Sequence, residues 1–326
     1  MRELTYGEAI REALDQAMEL SEDVFVMGEG VDDAGGTFGS TLGLAERFGP
    51  DRCFDLPLAE NGFTGAAVGA ALAGMRPVVV HQRMDFLLLT MDPLVNHAAK
   101  WRYMFDGMAG SVPLTVRAIV GKGWGQAAQH SQSLQAMFAQ VPGLRVAMPA
   151  TPFDAKGLLL SSILGEDPVV FIEARSLYDT TGHVPEQPYL IPFGKARVVC
   201  QGNDVTFVAN SYLLPEAIKA AEVLKTKNIS ADVIDIRTVA PWDKETILGS
   251  VNKTGHLVVL DTASESFGVS AEIAATIHKN AFKTLKSPVE RVTLPDTPTP
   301  CASDLEQLYY PTTETICEAA RRALAA

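Results

Sequence analysis

A single carboxylate, Glu60, precedes a helix pattern made almost wholly of Gly, Ala and Val, in the stretch DLPLAENGFTGAAVGAALAG (55–74). A glutamate at a helix start is often placed there because the positive end of the helix dipole favours an anion. A chemical role is the other interpretation. The apolar side chains of Leu58 and Phe63 flank Glu60, and they would raise the pKa of its carboxyl group if they bury it together.

The same helix pattern has a face that is nearly bare of side chains. Its glycines are Gly62, Gly65, Gly69 and Gly74. A bare face permits the close approach of a second backbone or of a flat ligand. Ordinary tight packing between elements of the chain is the alternative explanation for any one of these glycines.

The segment HQRMDF (81–86) directly follows a predicted strand. Side chains at the carboxyl ends of parallel strands line the crevice in which α/β proteins bind their ligands. The candidates are His81, Gln82, Arg83, Asp85 and Phe86. Phe86 offers an aromatic surface for stacking, although about half of such a loop faces solvent or the core.

A third segment, VGKGWGQAAQHSQS (120–133), also follows a predicted strand and contains three glycines within five residues. This composition predicts a mobile or tightly turned loop. His130 lies near its end, in front of a predicted helix. A lone histidine is more often structural than catalytic, but its place on a glycine-rich loop at this sheet edge makes it a candidate.

Composition and absent motifs exclude several classes of protein. The net charge of −12 and the lack of clustered Lys and Arg argue against nucleic-acid binding. The four cysteines form no CxxC pair, and no GxGxxG, GxxxxGK[ST], GxSxG or HExxH motif is present. The charged amphipathic start is not a signal peptide, and the longest apolar run, 62–75, is too short to span a bilayer. We therefore expect a soluble, cytoplasmic protein without a metal site of its own.

Hydrophobic periodicity predicts an α/β fold with two parallel-sheet domains, because buried strand patterns alternate with helix patterns in each half. Strands are expected at 23–29, 76–82, 112–121 and 167–174, and then at 204–210, 230–238, 256–262 and 288–294. Helices are expected at 6–20, 62–74, 91–104, 131–139 and 152–164, and then at 214–227, 242–251, 269–283 and 312–325. Dense prolines resist both helix and central strand. They predict a first domain at 1–180, a linker at 181–196 and a second domain at 197–326.

Taken in order, several stretches resemble the beta subunit of the thiamine diphosphate-dependent 2-oxo acid dehydrogenases, a family that includes the pyruvate, branched-chain and acetoin enzymes. They are LTYGEAIREALDQAM, PLAENGFTGAAVGAALAGMRPVV, MDPLVNHAAKWRYMF, AAQHSQS, PGLRVAMPATPFDAKGLL, DPVVFIEARSLY, VIDIRTVAPWDKETI and LVVLDTASESFGVSAEIAA. The resemblance implies a transketolase-like pyrimidine-binding domain followed by a transketolase C-terminal-like domain.

The resemblance also implies roles for single residues. Glu60 matches the glutamate that bonds the cofactor's pyrimidine ring and so helps the cofactor to lose its thiazolium proton. Phe86 matches the aromatic residue packed against the pyrimidine, Leu58 an apolar pocket position, and Gln82 a variable pocket position. His130 matches the histidine that assists acyl transfer to a lipoyl group.

Partners are implied in the same way. The family's GDG motif, which holds Mg²⁺ to the diphosphate, is absent here, because FDG (105–107) stands in the wrong context. The resemblance therefore implies that an alpha subunit supplies this half of the site in an α2β2 assembly. A lipoyl acyltransferase core is a further implied partner, and a monovalent cation near 167–173 is possible in this family.

Two departures from the family pattern keep alternatives open. Arg83 stands where a small or polar residue is usual, and a cation there could recognise a substrate carboxylate or phosphate. The turn in DTASESFGVSAEI (261–273) lacks part of the usual glycine pair. The first alternative is half of a split transketolase-like enzyme that moves a ketol unit between sugars without a lipoyl partner. The second is a non-catalytic scaffold subunit, against which Glu60 argues.

Overall fold

The computed structural model describes residues 2–325 and divides the chain into two compact units. The first unit runs to Lys122 and resumes over Met137–Phe193, and the second comprises Gly123–Ala136 and the chain from Gly194. The sequence predicts a first domain at 1–180, which includes the glycine-rich segment 123–136. The structure groups it with the second unit, because its hydrogen bonds described below are made to residues beyond 260.

Among the described residues, the first unit contains eight strands, five whole helices and most of a sixth. The strands are β1 (Glu3–Thr5), β2 (Val24–Gly28), β3 (Cys53–Asp55), β4 (Arg76–His81), β5 (Thr115–Val120), β6 (Arg145–Ala147), β7 (Val169–Ala174) and β8 (Thr181–His183). The helices are α1 (Tyr6–Leu20), α2 (Leu44–Phe48), α3 (Glu60–Leu72), α4 (Trp101–Met104), α5 (Gln135–Ala139, which begins in the second unit) and α6 (Pro152–Ile163).

The main sheet of this unit has the strand order β6-β7-β5-β4-β2-β3, and every one of these pairs is parallel. All residues of β5 and β7 are buried, as expected for strands of a parallel sheet covered on both faces. The four strands predicted for this half are confirmed. The short strands β3 and β6 were not predicted, because three residues are too few for a periodic pattern.

A local signal explains where α1 begins. Thr5 and Glu8 form a capping box at the start of α1, in which each side chain bonds the other residue's backbone N–H.

The helix predicted at 91–104 is instead a π-helical segment, Asp92–Ala98, followed by α4. The Ala99 N–H bonds the carbonyl oxygen of Leu94, five residues back, at 2.9 Å.

A buried ion pair joins β5 to β7 in the centre of the sheet. Arg117 donates to both carboxylate oxygens of Glu173, at 2.5 and 2.9 Å, and neither side chain is exposed. Arg117 also donates to Ser40, and the Tyr178 hydroxyl donates to Glu173. Burial disfavours the charged guanidinium, but the paired carboxylate outweighs it and raises the pKa of Arg117.

The second unit contains a smaller sheet and five helices in the described part of the chain. The strands are β9 (Arg197–Cys200), β10 (Val205–Ala209), β11 (Ala231–Asp235), β12 (Thr238–Ala240), β13 (Leu257–Ser264) and β14 (Glu290–Leu294). The helices are α7 (Leu213–Lys225), α8 (Lys244–Thr254), α9 (Val269–Ala281), α10 (Ser303–Tyr309) and α11 (Thr313–Ala325). The sheet order is β14-β13-β10-β11-β9, in which β9 alone is antiparallel to its neighbour.

The α/β class with a mostly parallel main sheet in each unit is confirmed, including the four strands predicted for the second half. Strand β9 and helix α10 were not predicted, since both lie next to proline-bearing stretches that favour loops. In residues 2–325, no helix has the length and apolar character that crossing a membrane requires.

Candidate active site

Polar side chains gather at the carboxyl ends of the parallel strands in the first unit. Glu29 directly follows β2, Gln82 and Arg83 follow β4, and Arg175 follows β7. Glu60 follows β3 after a four-residue connection. Because β2 lies between β3 and β4, this edge places the Glu29 carboxyl group between the segments that carry Glu60 and Gln82.

Glu60 is the first residue of α3 and is half-buried. Ala59 caps the helix and makes no side-chain cap bond, so the carboxylate of Glu60 lies in the first turn, near the positive end of the helix dipole. Phe63 is buried behind it, as expected. Leu58 differs from the expectation, because 80% of its side chain is exposed and it does not cover Glu60 in this chain.

The bare face of α3 is turned to solvent in the first unit. An added Cβ at Gly65 or Gly69 would meet no atom within 4 Å. The opposite face, which includes Phe63 and Val68, packs into the unit. Packing within the chain therefore does not explain these two glycines, and the face remains open to a partner's backbone.

Glu29 is a buried carboxyl group that the sequence analysis missed. Its side chain is 8% exposed, and its Oε1 atom has no hydrogen-bond partner among residues 2–325. Burial first, and then the charge of Glu60, raise the pKa of Glu29 to about 7, while a backbone hydrogen bond from Gln82 opposes the rise. Its position at the end of the strand pattern DVFVMGE was the available signal. A carboxyl group with a pKa near neutrality beside a second carboxylate is typical of a catalytic site.

Arg83 and Arg175 both contact the ring of Phe38. Their guanidinium carbons lie 5.0 and 5.3 Å from the ring centroid. Burial lowers the pKa of Arg83; Asp85 opposes this, and Arg175 adds to it. Phe38 has a φ of +50°, which is disfavoured for a residue with a bulky side chain. Two cations and a strained aromatic residue at one end of the sheet suit the recognition of an anion.

His81 and Phe86, from the same segment, have different environments. His81 is fully buried, with its ring centroid 5.1 Å from that of Phe63, and burial lowers its pKa to about 3. It is therefore a neutral interior side chain. Phe86 lies in a 3₁₀ segment, Met84–Thr90, and is 37% exposed.

His130 belongs to the second unit and is half-buried there, whereas Glu60, Gln82, Arg83 and Phe86 belong to the first unit. Among residues 2–325, no group of three or more His, Cys, Asp and Glu side chains could hold a metal ion.

Family models match both halves of the chain. One described as the transketolase pyrimidine-binding domain covers residues 2–181, and one described as the transketolase C-terminal domain covers 194–316. The sequence is 43% identical to the acetoin:2,6-dichlorophenolindophenol oxidoreductase subunit beta of Cupriavidus necator, over 99% of this chain and 98% of that one. It is 41% identical to the pyruvate dehydrogenase E1 component subunit beta of Bacillus subtilis, over 99% of each chain.

This chain belongs to the transketolase-like family of acetoin and pyruvate dehydrogenase beta subunits. A solved structure titled as a split gene transketolase, inactive beta4 tetramer, has the same fold, with a TM-score of 0.80 and 23% identity over 99% of this chain and 98% of that one. This beta subunit is thus one component of a hetero-oligomeric, thiamine diphosphate-dependent enzyme, and the family implies an alpha subunit as its partner.

The exposed side chains of this beta subunit fit the pyrimidine half of thiamine diphosphate. The half-buried Glu60 offers a carboxylate. Leu58, two positions before it, and Phe86, in the segment after β4, are 80% and 37% exposed. Large apolar side chains that are exposed in the unit carrying this carboxylate suit a flat heteroaromatic ring, which needs apolar contacts on its faces and a hydrogen bond at its edge.

Proposed function

We propose that this beta subunit, together with its alpha subunit, decarboxylates a 2-oxo acid and transfers the acyl group to a lipoyl group. This proposal rests on the position of Glu60. Glu60 begins α3 at the edge where the parallel strands end, which is where α/β proteins bind their ligands. The full-length likeness to two dehydrogenase beta subunits supports the reaction class. The ketol-transfer and scaffold alternatives lack such support.

The side chains of the first unit have distinct roles in this proposal. Glu60 hydrogen-bonds the pyrimidine ring and shares a proton with it, Phe86 and Leu58 contact the ring, and Gln82 lines the pocket. Thiamine diphosphate, when bound, supplies the nucleophile and the electron sink for decarboxylation. His130 assists acyl transfer as a proton donor or as an electrostatic partner.

The assembly in this proposal is an α2β2 enzyme that works in the cytoplasm with a lipoyl acyltransferase core. The alpha subunit supplies the ligands of Mg²⁺ and the diphosphate site. A monovalent cation near 167–173 remains part of the proposal. The solvent-facing glycines of α3 are a candidate contact for the alpha subunit, since they allow a second backbone to approach.

Arg83 selects the substrate in this proposal. With Arg175, it faces the same ring at the edge of the sheet that carries Glu60. A guanidinium pair favours a substrate with a second carboxylate or a phosphate, because planar guanidinium groups bind such anions through paired hydrogen bonds.

The test begins with the tagged chain purified gently from its own host, and mass spectrometry of what accompanies it. A GDG-bearing partner and a lipoyl acyltransferase support the proposal, whereas a GDG-bearing partner alone supports ketol transfer. In the assembled enzyme we expect Glu60→Ala to abolish turnover and leave assembly intact. Glu46→Ala, an exposed carboxylate in the first turn of α2, is the matched control. Undiminished turnover of the Glu60 variant would contradict the catalytic role assigned to Glu60.

A further inference from the structure

The glycine-rich segment of the second unit has a strained backbone. Gly123, Trp124 and Gly125 follow one another with φ values of +85°, +61° and +65°, and Ala127 has a φ of +57°. Left-handed backbone is disfavoured for Trp and Ala, because their Cβ atoms crowd the following carbonyl group. Such a conformation persists only where the surrounding structure holds it.

One carboxylate holds this backbone. Glu306, on α10, accepts the Gly123 N–H with Oε1 at 2.8 Å and the Gly125 N–H with Oε2 at 3.3 Å. Its side chain is only 6% exposed. Neighbouring N–H groups in turned backbone form a concavity that binds anions, and here the chain's own carboxylate occupies it. The carbonyl oxygen of Cys301 would lie 3.2 Å from a Cβ at position 125, so the site is closely packed around this glycine.

The other end of the segment is also held within the second unit. Ser133 shares a hydrogen bond with Thr262 at 3.0 Å, and Gln135 donates to Asp261 at 2.8 Å. His130 lies between these two attachments. Both attachments help to fix its position, together with the bond from its own N–H to the Ala127 carbonyl oxygen at 3.4 Å. Of the two attachments, the one to Glu306 is made at the residues with positive φ values.

We propose that Glu306 is a positioning residue that presents His130 for acyl transfer. The proposal rests on the function proposed above, in which His130 takes part in that step. Glu306 touches neither substrate nor cofactor in this role; it fixes the loop conformation through Gly123 and Gly125. Misplacement of a catalytic group by about 1 Å can lower a rate about 100-fold.

The decisive variant is Glu306→Gln in the assembled enzyme. Glutamine has the same shape, but its NH₂ group replaces one acceptor and faces a backbone N–H. We expect the rate of acyl transfer to the lipoyl group to fall ~10- to 100-fold, while decarboxylation with an artificial electron acceptor changes much less. Asp304→Asn, on the exposed side of the same helix, removes the same charge and is the matched control.

A double-mutant cycle with His130→Ala separates positioning from a general structural effect. If Glu306 acts through His130, then Glu306→Gln has almost no effect on acyl transfer in the His130→Ala background. An equal loss in both backgrounds, or no loss at all, overturns the proposal. A His130→Ala enzyme with an undiminished transfer rate instead overturns the role of His130 in the proposed function, and with it the purpose assigned to Glu306.

The fluorescence of Trp124 reports the conformation of the glycine-rich segment without any enzyme assay. In a chain in which Trp101 and Trp242 are replaced by Phe, we expect Glu306→Gln to change the emission of Trp124, and we expect Asp304→Asn to leave it unchanged. Unchanged emission in the Glu306 variant means that the carboxylate does not hold the loop, and overturns the proposal whatever the kinetics show.

Discussion

Gln82 donates a hydrogen bond from Nε2 to the backbone carbonyl oxygen of Glu29 at 3.2 Å. This bond joins the ends of β4 and β2 beside the Glu29 carboxyl group. Gly30 permits the approach, since its φ is +66° and a Cβ there would lie 2.6 Å from the Gln82 Nε2 atom. Gln82, which the sequence predicts as a pocket residue, and Glu29, which it does not predict, are therefore joined by a hydrogen bond where β4 and β2 end.

Glu29→Gln should change how stability depends on pH. Its folded-state pKa of about 7 lies above the ordinary value of 4.5, so the native state holds a proton that the unfolded chain releases. The wild type therefore loses stability as the pH rises from ~4.5 through ~7, and the variant lacks this loss. We expect the stability of the variant relative to wild type to rise by about 1–3 kcal/mol between pH 5 and pH 8.

Urea unfolding at several pH values measures this difference. Glu46→Gln, an exposed carboxylate of the same unit, should give a difference that is nearly constant with pH. A constant difference for Glu29→Gln as well would show that the Glu29 carboxyl group is ordinary.

Glu173→Gln should destabilise the first unit strongly. The change leaves the fully buried Arg117 without its compensating charge, and breaking one partner of such a pair costs about 3–5 kcal/mol. Equilibrium unfolding of the chain measures the loss. Glu166→Gln is the control, because its pair with Arg76 is 58% exposed on the glutamate side and should contribute less than about 1 kcal/mol. Equal losses in the two variants would contradict the prediction.

Gly65→Leu should weaken assembly with the alpha subunit without unfolding the chain. In the chain alone the new side chain meets no atom, whereas a partner backbone close to α3 would collide with it. We expect the affinity for the alpha subunit to fall by about tenfold or more, which corresponds to ~1.4 kcal/mol. Gly249→Leu on α8, another exposed helical glycine with open space around it, is the matched control. Normal co-purification of the Gly65 variant would exclude this face as the contact.

Arg83→Gln should alter substrate preference. We expect KM to rise about tenfold for a 2-oxo acid with a second carboxylate, because a charge-assisted hydrogen bond of ~1.5–3 kcal/mol is lost, and to change little for pyruvate. Steady-state kinetics of the assembled enzyme on both substrates measures the ratio. Arg47→Gln, which removes an arginine lying 5.0 Å from the ring of Phe48, is the control. An equal change for both substrates would assign Arg83 a structural role.

Hydrophobic periodicity predicted most of the fold. Continuous buried runs such as 76–82 and 167–174 have few alternatives to a covered parallel strand, and the Thr5–Glu8 spacing encodes a helix start in four residues. The place of Glu60 at a helix start was also predictable, since the Gly- and Ala-rich pattern begins directly after it. These features depend on residues that are neighbours along the chain.

Tertiary structure alone decided the rest of the candidate site. Glu29 has a raised pKa because the fold buries it and brings the carboxylates of Glu60 and Asp55 close to it. Leu58 is 80% exposed, although its place in the sequence predicts that it covers Glu60. The segment that carries His130 joins the second unit through Glu306, more than 170 positions away. Burial and electrostatic coupling depend on distances in space, and no local pattern of residues contains those distances.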